Sequence, residues 1–333
     1  MRRAHTSRPG ATLLLLAPVL GELISGHQSP LEFLNPINFA VLALPYGFGA
    51  LLCRELAVRW KKGWLGLLLL ALAYGIYEEG LVARSIWDPG WAELGAIGDY
   101  SFWRGVTWTW AAALLHFHVT VSIGASVALA HVLYPERRNQ PWLTSRQLGW
   151  CGAGLALWAP ALMLLHPFVP PAWALVAATL TVACLIVLAR RLPNPPARSR
   201  TERNVAPIWY GLVAALDTTA VFVAVFMLPE TAPEWLPPWP ASLGFVVLVD
   251  GLAAWLILRW SGGGRSWDDR HKLALVSGVL AFFAAFDLAQ DFEGDFRGGS
   301  LVAILAIAAL AWLWRVTVRR QADRGDADAP HSA

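Results

Sequence analysis

Residues 63–83 read GWLGLLLLALAYGIYEEGLVA, and this stretch decides the fold class. The apolar run is long enough for a helix to cross the hydrocarbon core of a bilayer, which takes about 20 residues. Two adjacent carboxylates, Glu78 and Glu79, lie toward its far end. The stretch therefore predicts a membrane-spanning helix that carries a costly pair of acidic side chains.

The composition of the whole chain agrees with this interpretation. Of its 333 residues, 56% are hydrophobic and only 15% are charged. A soluble domain carries about 25% charged residues, so the composition excludes a soluble enzyme, and the apolar content also excludes a disordered chain. The sequence predicts an all-α polytopic integral membrane protein in contact with the lipid bilayer.

Ten segments are apolar enough to be spans. The first is the weakest, because it is short and Glu22 interrupts it. A basic start followed by a short apolar core also describes a signal peptide, but no A-x-A cleavage site follows, so we expect a retained helix. The ten predicted spans are 11–25, 37–58, 63–83, 106–134, 147–166, 171–189, 206–228, 239–258, 272–290 and 299–316.

The distribution of Lys and Arg tests this span count. With ten spans, 22 of the 26 basic residues fall on one side of the membrane, three fall on the other, and Arg54 lies within a span. Basic residues concentrate in cytoplasmic loops. We therefore expect both termini on the cytoplasmic side of a plasma membrane, the bacterial inner membrane.

The chain reads as one membrane domain over residues 1–320. Two bundles, 1–190 and 206–320, would be joined by a basic, Pro-rich cytoplasmic loop. Residues 321–333 are polar, so a disordered tail is expected. The outer loop 85–105 is aromatic and too apolar to be fully solvated, and we expect it to lie on the bilayer surface or fold back as a lid.

Other bulk features exclude some partners. The net charge of +3 reflects cytoplasmic loops and does not indicate nucleic-acid binding. All three cysteines lie within apolar segments, so no disulfide framework is expected. The substrate or solute, whether small molecule, lipid or peptide, is left open.

Ionisable side chains at membrane depth mark candidate sites. The predicted topology gives one group a shared depth in the outer half of the membrane, so these residues are candidates for a common pocket. They are Glu22, Glu78, Glu79, His116, His118 and Asp287.

Helical geometry separates the two histidines of this group. Successive residues on a helix are about 100° apart, so His116 and His118 cannot both face one cavity. His118 is four residues before Ser122 in a polar stripe, which favours His118 as the inward one.

Three functions remain open. Glu78 and Glu79 with His118 suit a membrane-embedded hydrolase of peptide or lipid, in which either Glu is the general base. Glu79 and His118 would be ligands of a divalent metal such as zinc. Asp217 and Asp250, near the middles of two later spans, instead suit a small-solute or proton-coupled transporter. The third possibility is a non-catalytic membrane component, in which the carboxylates have a structural role.

Five stretches of the first 145 residues resemble a group of uncharacterised bacterial polytopic membrane proteins. That resemblance implies no activity. The stretches are GELISGHQSPLEFLNP (21–36), RELAVRWKKGW (54–64), YGIYEEGLVARSIWDPGW (74–91), FHVTVSI (117–123) and PERRNQPWL (135–143).

A second, partial resemblance is to the CAAX-protease and bacteriocin-processing family of intramembrane proteases. It rests on the glutamate pair, Arg84 and a histidine one span later, and it implies a glutamate-based hydrolase. Four residues separate the pair from Arg84 where that family has three. The Phe expected four positions before the histidine is Ala112 or Leu114, and a late His-x-x-x-Asn is absent.

Overall fold

The computed structural model describes residues 7–194, 205–263, 267–294 and 297–327. Helices form nearly all of the regular structure in these ranges, which confirms the predicted fold class. The α-helices are α1 (Ser7–Pro18), α2 (Pro30–Phe33), α3 (Pro36–Arg59), α4 (Trp64–Tyr77), α5 (Ala96–Ser101), α6 (Trp108–Phe117), α7 (Ser126–Leu133), α8 (Ser145–Leu165), α9 (Ala172–Arg191), α10 (Pro207–Phe222), α11 (Leu228–Thr231), α12 (Trp239–Trp260), α13 (Asp269–Glu293) and α14 (Gly299–Ala327).

Four of these helices continue without a break into a π-helical turn. Such turns are rare, and they occur frequently at functional sites. The π-helical turns extend α1, α4, α6 and α10 and cover Val19–Leu23, Glu78–Val82, His118–Ala125 and Val223–Met227.

Within the described ranges, nine helices are long and apolar enough to cross a membrane. The helix at the remaining predicted span, 11–25, is shorter than each of these nine. It consists of α1, which has 12 residues, and a π-helical turn, which adds five. The nine spans are Pro36–Arg59, Trp64–Val82, Trp108–Leu133, Ser145–Leu165, Ala172–Arg191, Pro207–Thr231, Trp239–Trp260, Asp269–Glu293 and Gly299–Asp323.

Local sequence explains where several spans begin. The Asn35 side chain accepts hydrogen bonds from the first free amides of α3, and Pro36 needs no amide partner at that position. Thr144 and Gln147 form a capping box that starts α8. Asp268 caps α13 in the same way, which fixes the start of that span.

The later helices pack on the earlier ones. Helices α12 and α13 contact α6 and α7 respectively, while α10 and α13 pack tightly against each other. That last contact depends on Gly278, because a Cβ there would overlap the carbonyl oxygen of Gly211. Backbone contact between small residues is a common way for helices to associate in membranes.

The 85–105 loop folds back on the helices. It contains α5 and a two-stranded antiparallel hairpin, Phe102–Trp103 with Val106–Thr107. Ile86, Trp87 and Leu94 from this loop are buried in a cluster with residues of α6 and α9. The loop is therefore a packed cap at its end of the bundle.

Two sequence expectations concern the connections. The basic, Pro-rich linker predicted between the two bundles lies largely outside the described residues, since 195–204 are not described. The expectation of a disordered tail from residue 321 is wrong as far as Ala327, because α14 continues to that residue. The polar residues there extend an already formed helix, which avoids the cost of nucleation. Residues 328–333 are outside the described part.

Candidate functional site

A cavity of about 490 Å³ lies beneath the 85–105 cap. Most of its wall is aromatic or aliphatic, and its polar groups are mainly carboxylates and histidines. Its titratable lining residues are Glu22, His27, Glu78, Glu79, Glu93 and His118. Tyr46, Trp110, Phe222, Phe282 and Phe283 contribute to the aromatic wall. An apolar pocket with a few convergent polar groups is the usual form of a ligand site.

All four π-helical turns contribute to this cavity. Glu22 belongs to the first, Glu78 and Glu79 to the second, and His118 begins the third. Phe226, in the fourth, supplies apolar wall. A π-helical turn changes the angular spacing from its own start onward, so regular helical spacing does not give the orientation of the residues that follow it.

Glu78, Glu79 and His118 form one buried group. The His118 Nε2 atom lies 2.9 Å from Glu79 Oε1 and 3.2 Å from Glu78 Oε2. Both carboxylates therefore face the same ring nitrogen. The expected pairing of the glutamates with the second histidine is present in the structure.

Glu79 is held at both of its oxygens. Its Oε1 meets His118, and its Oε2 accepts a short hydrogen bond from the Ser85 hydroxyl. The indole N–H of Trp110 in turn donates to Ser85 Oγ at 3.1 Å. A chain of buried hydrogen bonds thus orients Glu79, as outer partners orient the ligands of metal sites.

Aromatic packing fixes the ring of His118. Tyr46 is stacked on it at 6.2 Å between centroids, and Tyr74 and Phe117 pack edge-on at 5.6 and 5.8 Å. The position of Tyr74 requires a glycine at residue 49, where a Cβ would overlap the tyrosine ring. His118 Nδ1 has no hydrogen-bond partner among the described residues, so these rings, not a second hydrogen bond, set its orientation.

Glu22 is an acid of the cavity that has one carboxylate oxygen without a partner among the described residues. Its side chain is buried, and its Oε2 has no hydrogen-bond partner in the described part of the chain. A buried polar atom left without a partner is unusual and calls for an explanation, which is often a functional one.

His27 and Glu93 connect two loops at the edge of the cavity. His27 Nε2 lies 3.2 Å from Glu93 Oε1, and both side chains are about half exposed. The hydrogen bond to Glu93 raises the pKa of His27 to about 9. Because Glu93 belongs to the folded 85–105 loop, this ion pair ties that cap to the connection after α1.

Two predicted members of the pocket lie elsewhere. His116 does not line the cavity and faces other helices, as the 200° separation from His118 requires. Asp287 is fully buried near Gly26 but is not a lining residue, and its two oxygens have no partner among the described residues. Ser122 is also buried, outside the lining set, with an unpartnered hydroxyl.

Arg84 does not pair with the glutamates. Its guanidinium donates to the carbonyl oxygens of Val82, His166 and Phe168. Tyr77, next to the pair, donates to the Leu155 carbonyl. The hydrogen bonds of Arg84 and Tyr77 thus go to backbone carbonyl oxygens, while Glu79 is bonded to His118 and Ser85.

The sequence did not indicate a second cluster that the structure assembles. His116 Nδ1 lies 2.7 Å from Asp250 Oδ1 and 4.0 Å from Asp217 Oδ2. His116 Nε2 and Asp217 Oδ1 are buried without hydrogen-bond partners among the described residues. The two mid-span acids thus converge on the histidine that the first cavity does not use.

The three side chains of the first group offer ligand atoms that could hold a metal ion. Four ligands about 2.0–2.1 Å from a tetrahedral zinc ion lie about 3.3 Å from one another. The contacts of His118 with the two carboxylates, at 2.9 and 3.2 Å, are close to that separation. Three ligands would leave the fourth position open, as in catalytic zinc sites.

Comparison with known proteins gives the family. A family model described as an uncharacterized membrane protein family matches residues 11–285, and the chain belongs to that family. The match extends well past the first 145 residues, where the first resemblance was found. No curated protein and no solved structure matches the chain.

Proposed function

We propose that this member of the family is a membrane-embedded hydrolase whose active site is the 490 Å³ cavity. The observation that carries the proposal is the buried group of Glu78, Glu79 and His118 in the wall of that cavity. The three side chains would hold a divalent metal such as zinc, and the open position would bind a water molecule.

Glu22 is proposed as the general base. Both members of the glutamate pair face the same histidine nitrogen, so both are in the ligand group. Glu22 lines the same cavity, and its Oε2 has no partner among the described residues. It would accept a proton from a water molecule as the oxygen of that water attacks the substrate carbonyl, and a metal held by the three side chains would supply Lewis-acid activation. The same proton would pass to the leaving group when the carbonyl–heteroatom bond breaks.

The cavity wall points to an amphiphilic substrate. Its aromatic lining, which includes Phe222, Phe282 and Phe283, would accommodate an apolar chain while the reacting bond faces the polar group. A lipid acyl chain or an apolar peptide segment has this character. The Lys and Arg distribution supports an outward-facing site in a plasma membrane with cytoplasmic termini.

The test uses the purified chain in nanodiscs that contain a total lipid extract. Incubation in ¹⁸O-labelled water, followed by mass spectrometry, should reveal labelled carboxylic acid products with the wild type. Glu22→Gln should abolish labelling while metal is retained, and Glu79→Gln should abolish both. Glu234→Gln, a change at an exposed loop residue, is the matched control. Equal labelling by all four proteins would refute the assignment of the cavity.

The His116–Asp217–Asp250 cluster favours a second candidate, a proton-coupled transporter. Two carboxylates from different spans meet a buried histidine of a third, which is the composition of a proton relay. In proteoliposomes carrying an internal pH dye, Asp217→Asn would then abolish proton flux while Glu79→Gln would not. Unchanged flux in Asp217→Asn would exclude this candidate. If neither change affects turnover or flux, the chain is a non-catalytic membrane component.

A further inference from the structure

A second, chemically different pocket lies at the opposite end of the helices from the capped cavity. It has a volume of about 330 Å³. Its lining comes from the end of α3, the start of α4, the end of α7 and the start of α13, which the charge distribution places on the cytoplasmic side. The residues relevant here are Arg54, Lys62, His131, Arg138, Trp267 and Lys272.

The pocket has an excess of positive charge. Arg54 forms an ion pair with Glu55. The side chains of Arg138 and Lys272 both contact Asp269, at 2.8 and 2.7 Å respectively. Neither acid lines the pocket. With Lys62 also in the wall, four cations line the pocket, whereas no carboxylate is among its lining residues in the described part of the chain.

Unpartnered donors are a second and independent observation. Arg54 Nε and Trp267 Nε1 are buried on lining residues and have no hydrogen-bond partner in the described part of the chain. His131 Nε2, on another lining residue, is also buried and without a hydrogen-bond partner among the described residues. Arg54 is fully buried and Trp267 is 8% exposed, so bulk water does not satisfy these atoms. Buried donors are normally paired, so a ligand with several acceptor oxygens would account for all of them.

We infer that this pocket binds a phosphate group. A phosphate carries enough charge to balance the excess cations and enough oxygens to accept from separate donors. Basic pockets between spans on the cytoplasmic side bind the headgroups of anionic lipids, and a free phosphate or phosphate ester has the same chemistry. The inference does not rest on the proposed hydrolase activity.

The experiment has one arm for each source of phosphate. In mild detergent, the full chain is titrated with inorganic phosphate and heat is measured. In nanodiscs made with phosphatidylglycerol or with phosphatidylcholine alone, the lipid retained after extraction is counted by mass spectrometry. Each arm compares wild type, Lys62→Gln/Arg138→Gln, Trp267→Phe and the control Arg146→Gln, which changes an exposed basic residue outside the pocket.

We expect saturable binding that weakens at least about tenfold in Lys62→Gln/Arg138→Gln and also falls in Trp267→Phe, with no change in Arg146→Gln. Trp267→Phe keeps an aromatic side chain but removes the indole N–H and part of the ring system, so the melting temperature of each variant is measured as well, to separate a loss of binding from a loss of folding. Phosphate binding in detergent supports a free phosphate ligand, while retention of phosphatidylglycerol alone supports a lipid headgroup. Absence of both, or equal binding by all four proteins, would overturn the inference.

Discussion

The Ser85 hydroxyl should control how tightly the proposed centre holds its metal. It donates to Glu79 Oε2 and accepts from the Trp110 indole, so Ser85→Ala removes one hydrogen bond from a ligand and strands a buried N–H. Loss of an outer partner of this kind reduces metal affinity by about 10–100-fold. That range corresponds to about 1.4–2.7 kcal/mol of binding free energy.

The stranded Trp110 N–H affects a different quantity. It lacks its partner whether or not metal is bound, so its cost of about 1–3 kcal/mol reduces the free energy of unfolding of the metal-free protein. Ser122→Ala is the matched control. Ser122 is also fully buried, but its hydroxyl has no hydrogen-bond partner among the described residues. Neither zinc affinity nor stability should fall in that variant.

The assay is competition for zinc against a chromophoric chelator, with the purified proteins in mild detergent. Ser85→Ala should release zinc at chelator concentrations about 10–100-fold lower than wild type. Ser122→Ala should follow the wild-type curve. Superimposable curves for all three proteins would refute the view that the hydrogen-bond chain orients a metal ligand.

Three further predictions concern the cap, the buried Arg54–Glu55 ion pair and helix packing. The pKa of His27 is raised from 6.5 to about 9, so the stability contributed by its pair with Glu93 is full below about pH 6.5 and lost as the pH rises through 9. The melting temperature of His27→Gln should therefore lie below that of wild type at pH 6.5 and match it at pH 10.5. Arg54→Gln removes the buried cation of the fully buried Glu55 and leaves it only the partly exposed Arg59, 3.3 Å away, so it should cost up to about 3–5 kcal/mol in unfolding from mixed micelles. Gly278→Ala should cost about 1–3 kcal/mol by overpacking, whereas Gly251→Ala, with open space around it, should be neutral.

Each of these three predictions would be contradicted by a specific result. A melting-temperature difference for His27→Gln that is the same at both pH values would mean that the pair with Glu93 does not titrate as described. An Arg54→Gln protein as stable as wild type would show that the buried ion pair is dispensable. Equal stability of Gly278→Ala and Gly251→Ala would contradict the close approach of α10 and α13.

The spans could be predicted from the sequence because each one is a local property. The apolar run of 63–83 needs no knowledge of its neighbours, and the membrane requires it to be helical. The length of the first predicted span, 11–25, was harder to predict. The structure has α1 and its π-helical turn there, and the turn ends at Leu23. The tail was misread beyond residue 321, because polar composition does not show that a preceding helix continues.

The candidate site was partly predictable for the same reason. An angle of about 100° per residue is enough to separate His116 from His118. The partners of His116 lie 101 and 134 residues away, and only the packing of α10 and α12 against α6 brings them there. The π-helical turns were also missed, since no composition rule distinguishes them from α-helix. The sequence does offer one signal for site residues in these turns, which is a carboxylate within an apolar span. That signal identifies Glu22 and Glu78.

Metal content tests the central claim most directly. The purified protein in mild detergent is assayed for zinc and other transition metals per chain, beside the Glu79→Gln/His118→Ala variant. We expect about one metal ion per wild-type chain and its loss in the variant. A wild-type protein without metal, or a variant that keeps it, would contradict the assignment of Glu78, Glu79 and His118 as a metal centre.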